Sequence, residues 1–246
     1  MVAQRMSLRT LADPFFLAHR ALRSEIASMA QAAQGVVLDV GCGTAPYRPL
    51  FAHATYFGVE VATSSEYGSK KGGADLLFDG RTLPVADASV DAVLCNQVLE
   101  HVFEPLPFLR ELHRVLRPGG RLLMTVPFVW DEHEQPYDFA RYSSFGLAHL
   151  ARSAGFEVVE SRRTLADASL FAQLWLAYWF KVVRRGNPSS MARKVVVAAM
   201  SAPVNLLGLA LARVLPASPD LYLDNAIILA RPGAMIGTTP NGGGAA

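Results

Sequence analysis

The sequence predicts an α/β protein built on a doubly wound, mostly parallel sheet of seven strands. Short apolar runs rich in β-branched residues alternate with helical patterns, which is typical of βαβ units. The first run ends in a glycine turn, and acidic residues close the next two. A long apolar and basic stretch stands before the last run, so we expect a helical insertion at that point of the fold.

Composition limits the classes of protein to consider. The chain has 246 residues, 51% of them hydrophobic, and a mean hydropathy of +0.23, so it can form one large domain with a sizeable core. The net charge of +2 argues against a general nucleic-acid-binding protein. Cys42 and Cys95 lack metal-ligand spacing, and no apolar core follows the basic residues 1–10. We therefore expect reduced thiols, no metal, no secretory signal and a cytoplasmic location.

Residues 1–34 are predicted to form an N-terminal helical cap. The helical pattern covers residues 8–32, with a helix-start signal at Asp13-Pro14. Its apolar residues recur at spacings of three and four: Phe15, Ala18, Leu22, Ile26 and Met29. We interpret this helix as one that packs on the sheet. The alternative is a lid over a bound ligand, with Arg20 or Arg23 available to anions.

The glycine turn follows a buried strand at residues 36–40. Gly41 and Gly43 let the backbone turn sharply and let a ligand approach the main chain. Tyr47 and Arg48 come just after the turn, where helix-start amides and a guanidinium suit a carboxylate. This order predicts a nucleotide site at the carboxyl edge of a parallel sheet, and a purely structural turn is the alternative.

Six further strands complete the predicted sheet. We expect them at residues 56–60, 74–78, 90–96, 121–126, 155–161 and 225–230. Helices are expected at residues 46–53, 105–116 and 144–154, and a turn at residues 117–120. Glu60 ends the second strand 17 residues after Gly43, about the separation at which an acid meets ribose hydroxyls.

Four stretches carry a family resemblance. They read VLDVGCG from Val37, GVE from Gly58, FDGRTLPVADASVDAVLCNQVLEHV from Phe78 and RELHRVLRPGGRLLMTVPF from Arg110. Their ordered series resembles the motifs of class I S-adenosylmethionine-dependent methyltransferases of the small-molecule, type 11-like branch. A dinucleotide oxidoreductase would share the turn and Glu60 but would not need the later acid. The core is predicted at residues 35–163, with the last strand of the sheet at residues 219–231.

The resemblance implies S-adenosylmethionine as the cofactor. The acid and glycines of the first motif would shape the methionine pocket, and Glu60 would take the ribose. Asp79 would face the adenine amino group, and the residues after the fourth strand would line the sulfonium end. The implied cofactor-binding residues are Asp39, Gly41, Cys42, Gly43, Tyr47, Arg48, Glu60, Asp79, Gly80, Asn96 and Gln97. One departure is Ala45, where the family often has a third glycine.

The acceptor is expected to bind at residues 130–143, after the fifth strand. This segment resembles an H-x-x-P-x-D-x-x-R-Y pattern of bacterial methyltransferases often linked to glycan or envelope pathways. The pattern falls on His133, Pro136, Asp138, Arg141 and Tyr142.

His133 titrates near neutrality, so it suits proton transfer from a hydroxyl. Asp138 assists His133 as a catalytic candidate, and Tyr137, Arg141 and Tyr142 are substrate-binding candidates. The alternative is a structural Asp138–Arg141 ion pair, with Ser143 capping the next helix. His101 is a second base candidate, or a residue that packs beside the cofactor without transferring a proton.

The predicted insertion, residues 164–218, holds two apolar segments, at residues 168–183 and 195–215. From residue 161 to 215 the formal charge is +7, whereas the rest of the chain sums to −5. Three interpretations stay open: a helical pair packed on the sheet or in a homodimer interface, a hairpin at the membrane surface through residues 164–215, or a membrane span. The cations that would meet anionic headgroups are Arg184, Arg185, Arg193 and Lys194. The Gly-rich tail, residues 232–246, is predicted to be disordered.

We therefore expect a methyltransferase that acts on a small-molecule or lipid-linked acceptor, on oxygen, without nucleic acid. A membrane hairpin would place it at the inner face of the plasma membrane. A non-catalytic membrane-docking or scaffolding protein that keeps the fold is the competing hypothesis.

Overall fold

A computed structural model describes residues 7–62, 73–184 and 191–233 of the chain. Its centre is one seven-stranded sheet in the order β3-β2-β1-β4-β5-β7-β6. The strands are β1 Val36–Val40, β2 Thr55–Val61, β3 Leu76–Phe78, β4 Val90–Asn96, β5 Leu116–Pro127, β6 Glu157–Arg163 and β7 Asp224–Ala230. Only β7 runs antiparallel to its neighbours, so the predicted mostly parallel fold is confirmed.

Six α-helices accompany the sheet within the described residues. They are α1 Leu8–Leu11, α2 Phe16–Met29, α3 Pro105–Val115, α4 Ser144–Ser153, α5 Ser169–Arg184 and α6 Met191–Val214. On one face of the sheet, Ile26 and Met29 of α2 pack against Val37, Leu94 and Leu123. On the other face, α3 and α4 pack over the larger core cluster. This two-sided cover explains why the central strands are apolar throughout.

Two predicted boundaries were wrong. The helical pattern of residues 8–32 is interrupted, because the Asp13 carboxylate accepts from the Phe15 amide at 2.9 Å and a new helix starts at Phe16. β5 begins at Leu116, five residues before its predicted start. The predicted turn lies inside that strand, where the Gly119 amide donates to the Arg231 carbonyl at 2.8 Å.

The short element after the glycine turn is a 3₁₀ turn at Arg48–Phe51, since Pro49 removes a backbone donor there. The predicted cap of α4 is present, because the Ser143 hydroxyl accepts from the Gly146 amide at 3.2 Å.

The insertion folds as α5 and α6, which pack against each other and against α1 and α2. The buried Asn205 amide donates to the carbonyls of Leu11 and Asp13, each at 2.9 Å. At Gly208 a Cβ atom would lie 2.8 Å from the Ala172 Cβ, so the two helices approach closely there. The insertion is therefore attached to the N-terminal helices rather than extending freely.

By length and hydropathy alone, residues 194–214 of α6 could cross a membrane. Within the 18-residue stretch of this helix that is most apolar, 22% is buried inside the fold. Packing and membrane interpretations of the insertion therefore both remain. Arg185 and residues 234–246 of the predicted tail lie outside the described residues, as do the side chains of Arg184 and Arg193.

We expect Asn205→Leu to destabilise the protein by about 1–3 kcal/mol, because it removes both donors that tie α6 to the N-terminal segment. Urea unfolding measures this loss. Leu206→Asn is the matched control, since Leu206 is 48% exposed, and it should change stability by less than about 0.5 kcal/mol. Equal effects of the two variants would contradict this account of how α6 docks.

Candidate active site

The turn after β1 has an open face. Gly41 and Gly43 have φ values of +72° and +54°, which favour glycine. A Cβ atom at Gly41 would clash with Val98 at 2.5 Å, whereas one at Gly43 would meet nothing within 4 Å. Gly41 is thus required by packing, and the backbone at Gly43 stays accessible to a ligand.

Glu60 fastens the end of β2 to this turn. Its carboxylate accepts from the Gly43 amide at 2.8 Å and from the Val61 amide at 2.9 Å. An ionised carboxylate has about four acceptor positions, so it can also accept from two ribose hydroxyls. The predicted ribose residue therefore lies directly beside the predicted glycine turn.

Asp79 and Gly80 come at the end of β3, whose Phe78 pairs with Val61 of β2. The amides of Thr82 and Arg81 donate to Asp79 at 2.8 Å each and lower the pKa of its carboxyl. Asp79 is exposed and stays charged, and it follows β3 at the edge where β2 ends with Glu60 and Val61. The two acids that close β2 and β3 therefore share one edge.

Asp39 lies beneath the turn rather than in the open cleft. It is 2% exposed and accepts a short hydrogen bond from the Tyr56 hydroxyl. Burial raises the pKa of Asp39 to about 7, although the Tyr56 hydrogen bond works against that shift. Asp39 thus holds Tyr56, and its predicted contribution to the methionine pocket would be made through this contact.

Arg48 was predicted to bind a carboxylate of the ligand, but in the structure it binds Asp75 and Gly73. Its guanidinium donates to the Asp75 carboxylate at 2.6 Å and to the Gly73 carbonyl at 3.0 Å. The guanidinium also lies 4.6 Å from the centroid of the Tyr56 ring. Asp75 in turn accepts from the Gly58 amide at 2.7 Å. Arg48 therefore braces the loop before β3 in this structure.

Tyr47 and Cys42 line the turn from its buried side. The Tyr47 hydroxyl forms a hydrogen bond with Asn96 at the end of β4, and burial raises its pKa. The Cys42 thiol is buried and neutral, since burial raises its pKa to about 12. Neither residue is a nucleophile at neutral pH.

Asn96 and Gln97 end β4 between the turn and β5. The Thr125 hydroxyl donates to Asn96 at 2.7 Å. Gln97 has φ +54°, and its amide nitrogen lies 3.3 Å from both the Thr125 hydroxyl and the Asp224 carboxylate. These contacts fix two polar side chains at the predicted sulfonium end. Burial raises the pKa of Asp224 to about 6.

On the acceptor side, Asp138 contacts both Arg141 and His133. It accepts from two Arg141 nitrogens at 2.6 and 2.7 Å, and it lies 3.3 Å from Nδ1 of His133. Burial alone would raise the pKa of Asp138, but hydrogen bonds from Arg141 and the His133 amide outweigh it and hold the pKa at about 2. The structure therefore contains the Asp138–Arg141 ion pair, and the same carboxylate also lies beside the predicted base, His133.

His101 and His133 face each other, with ring centroids 4.8 Å apart. Nδ1 of His101 lies 2.8 Å from the Tyr137 carbonyl, and its Nε2 lies 3.8 Å from the Glu100 carboxylate. Tyr137 thus contributes its backbone here. Tyr142 is half-buried at the end of this segment, and burial raises its pKa.

Glu100 was missed by the sequence predictions. It is fully buried, neither carboxylate oxygen has a hydrogen-bond partner among the described residues, and burial raises its pKa to about 8. The signal available in the sequence was an acid that directly follows two apolar residues in the run VLEHV. Asp75 and Asp224 were also missed, because only the fold brings them to this edge.

Residues 38–124 match the family described as "Methyltransferase domain". The chain is 31% identical over 145 residues to a Mycolicibacterium smegmatis protein named "Probable S-adenosylmethionine-dependent methyltransferase", covering 54% of this chain and 56% of that one. It is 30% identical over 171 residues to "O-methyltransferase rstn1" of Aspergillus nomiae, covering 60% of this chain and 76% of that one.

The chain belongs to the class I S-adenosylmethionine-dependent methyltransferases. The fold agrees with that of a Burkholderia thailandensis 1,6-didemethyltoxoflavin-N1-methyltransferase, solved with S-adenosylhomocysteine, at a TM-score of 0.50 and 17% identity over 86% of this chain and 79% of that one. This methyltransferase spans about half the length of the first curated relatives that it matches.

The cofactor is S-adenosylmethionine, and the residues of this methyltransferase fit it. The open backbone at Gly43 suits close approach of the ligand, and the charged acids at Glu60 and Asp79 suit hydroxyl and amino donors. When bound, the cofactor supplies an electrophilic methyl group on sulfonium. The protein must then hold the acceptor in line with that group.

We expect Glu60→Ala to weaken S-adenosylhomocysteine binding by roughly 10–100-fold, because hydrogen bonds to a charged group contribute about 1.5–3 kcal/mol. Isothermal titration calorimetry measures the change. Glu157→Gln, at an exposed position at the far end of β6, is the control and should bind as the wild type does. Unchanged affinity of the Glu60 variant would exclude it from the cofactor site.

Proposed function

We propose that this methyltransferase moves the methyl group to an oxygen atom of a small-molecule or lipid-linked envelope acceptor, at the cytoplasmic face of the plasma membrane. The observation that carries the proposal is the His133–Asp138–Arg141 arrangement directly after β5. An O-methyltransferase name on a relative that this chain covers by 76% supports oxygen as the acceptor atom.

His133 is the base in this proposal. Its Nδ1 lies 3.3 Å from the Asp138 carboxylate and 3.2 Å from the Asp131 carbonyl, and both oxygens only accept hydrogen bonds. These two oxygens lie nearer to Nδ1 than the donating Arg141 nitrogen at 3.5 Å does. We therefore assign the proton to Nδ1, which leaves Nε2 the lone pair that takes a proton from an acceptor hydroxyl. The charged Asp138 then stabilises the imidazolium that forms.

His101 is the second candidate base, and its Nε2 points toward Glu100 rather than away from the buried cluster. Alignment of acceptor and methyl group supplies most of the rate, about 7–11 kcal/mol. A general base adds about 10²–10⁴-fold. Loss of the base should therefore slow the reaction without abolishing it.

The insertion supports an amphiphilic acceptor. Lys181 of α5 donates to the Glu132 carbonyl at 2.5 Å and pairs with Asp131 at 2.6 Å, so α5 adjoins the acceptor segment. The outer side of α5 exposes large apolar side chains at helical spacing: Phe171, Trp175, Tyr178 and Val182. With the positive charge of the segment, this face suits an anionic lipid surface.

The second candidate is a membrane-docking or scaffolding protein without turnover. The exposed apolar face of α5 and α6 favours it, since that surface needs no catalysis to bind. The same face would also suit a homodimer interface. Turnover and lipid binding measured on the same preparation separate these functions.

We expect His133→Ala to lower methyl transfer by roughly 10²–10⁴-fold while S-adenosylhomocysteine affinity stays unchanged. The acceptor is first found by incubating cell extracts with the protein and isotopically labelled methyl donor, followed by mass spectrometry. His149→Ala, on the exposed surface of α4, is the control. Full activity of the His133 variant would contradict its role, and labelled product in no fraction would favour the non-catalytic alternative.

We expect the wild type to sediment with phosphatidylcholine vesicles only when they contain phosphatidylglycerol. The double variant Trp175→Ser, Tyr178→Ser should bind roughly 10²–10⁴-fold more weakly, since each buried apolar side chain contributes about 1.5–3 kcal/mol. Phe145→Ser, which removes a still more exposed aromatic side chain on α4, should not alter binding. A wild type that stays in the supernatant would remove the membrane part of the proposal.

A further inference from the structure

We propose that Glu100, His101 and His133 bind a divalent transition-metal ion beside the acceptor segment. One ligand atom from each of the three residues lies within 4.8 Å of the other two. Two imidazoles and one carboxylate are the ligand set of Zn²⁺ and its first-row neighbours, whereas Mg²⁺ and Ca²⁺ prefer oxygen alone.

The hydrogen bonds around both imidazoles leave the correct nitrogen free. Nδ1 of His101 donates to the Tyr137 carbonyl at 2.8 Å. Nδ1 of His133 lies 3.2 Å from the Asp131 carbonyl and 3.3 Å from the Asp138 carboxylate, which both accept, and the donating Arg141 nitrogen is farther away, at 3.5 Å. Each Nε2 therefore carries a lone pair. Metal-binding histidines in proteins usually have their other ring nitrogen held by a carbonyl or carboxylate in this manner.

Glu100 supplies an independent observation. Its side chain is fully buried, and both of its oxygens lack a hydrogen-bond partner among the described residues. A buried carboxylate without partners is costly, and a cation between Glu100 and the two imidazoles removes that cost. Arg141 is the nearby positive charge, and its two bonds to Asp138 offset its repulsion of an ion.

The cluster is held by the backbone on both sides. The Phe139 amide donates to the Glu100 carbonyl at 2.8 Å, which ties the acceptor segment to the 3₁₀ turn at Leu99–His101. A tetrahedral ion with bonds of about 2.0–2.1 Å needs its ligands roughly 3.3 Å apart. The Glu100–His101 pair at 3.8 Å is close to this distance, and the ligand atom of His133 lies within 4.8 Å of both, so ion binding would draw His133 inward.

A bound ion also changes how the acceptor would be activated. With Nε2 of His133 as a ligand, the ion would supply Lewis-acid activation of an acceptor hydroxyl, whose proton would pass to solvent, and His133 would then hold the ion instead of acting as the base. This effect of the ion on the acceptor rests on the proposed methyl transfer to oxygen. Metal binding does not depend on methyl transfer, so either proposal can fail without the other.

The test uses the full chain, stripped with a chelator and dialysed against Zn²⁺. We expect one tightly bound ion per chain by elemental analysis, and the visible absorption of Co²⁺ bound to nitrogen and oxygen ligands when Co²⁺ replaces Zn²⁺. His133→Ala and Glu100→Gln should weaken binding at least tenfold, whereas His149→Ala should not. Circular dichroism and S-adenosylhomocysteine affinity confirm that each variant is folded.

Two results would overturn the proposal. One is a wild type that retains less than one ion per chain, with Glu100 simply protonated. The other is Zn²⁺ binding that His133→Ala and Glu100→Gln leave unchanged, which would place the ion at other histidines or at the cysteines. His133→Asn keeps a polar side chain of similar size and serves in place of His133→Ala if that variant does not fold.

Discussion

The hydrogen bond between the Glu60 carboxylate and the Gly43 amide is the contact on which the site depends. It joins the carboxyl ends of β1 and β2, which are in parallel register. If the turn after β1 runs close under the cofactor as predicted, the acid predicted to receive the ribose also sets the shape of the loop predicted to receive the methionine part. One side chain would thereby couple two halves of the cofactor site.

Buried acids are the second constraint on this edge. Asp39, Glu100 and Asp224 lie at or beside the carboxyl ends of the strands, and burial raises the pKa of each. Asp39 and Asp224 are hydrogen-bonded by hydroxyls of Tyr56 and Thr164, whereas Glu100 has no such partner. This difference separates two structural acids from one that is available to an ion or a proton. Among these three buried acids, the one on the acceptor side is therefore the one whose oxygens lack hydrogen-bond partners in the described residues.

The first three strands could be predicted closely because each is a short run that ends at a glycine or an acid. The strand at Val90–Asn96 agrees with its predicted bounds to the residue. The start of α2 at Phe16 agrees with the helix-start signal at Asp13-Pro14, and the error was to extend the same helix back to residue 8. The early start of β5 was missed, since Pro118 and two glycines are typical of turns. Local pattern fixes element type better than element ends.

Side-chain partners were harder to predict than elements. The commitment of Arg48 to Asp75 depends on the loop before β3, whose position the sequence does not indicate. The pairing of Asp138 with Arg141 was predictable from their spacing of three residues, yet its simultaneous contact with His133 was not. The account as a whole requires the cofactor to lie across the edge formed by β1, β2 and β3.

A crystal structure of the complex with S-adenosylhomocysteine tests that requirement most directly. The account predicts the ribose hydroxyls on Glu60, the adenine beside Asp79 and the amino-acid part over Gly43. A ligand bound elsewhere, or a Glu60 carboxylate that makes no contact with it, would contradict the account.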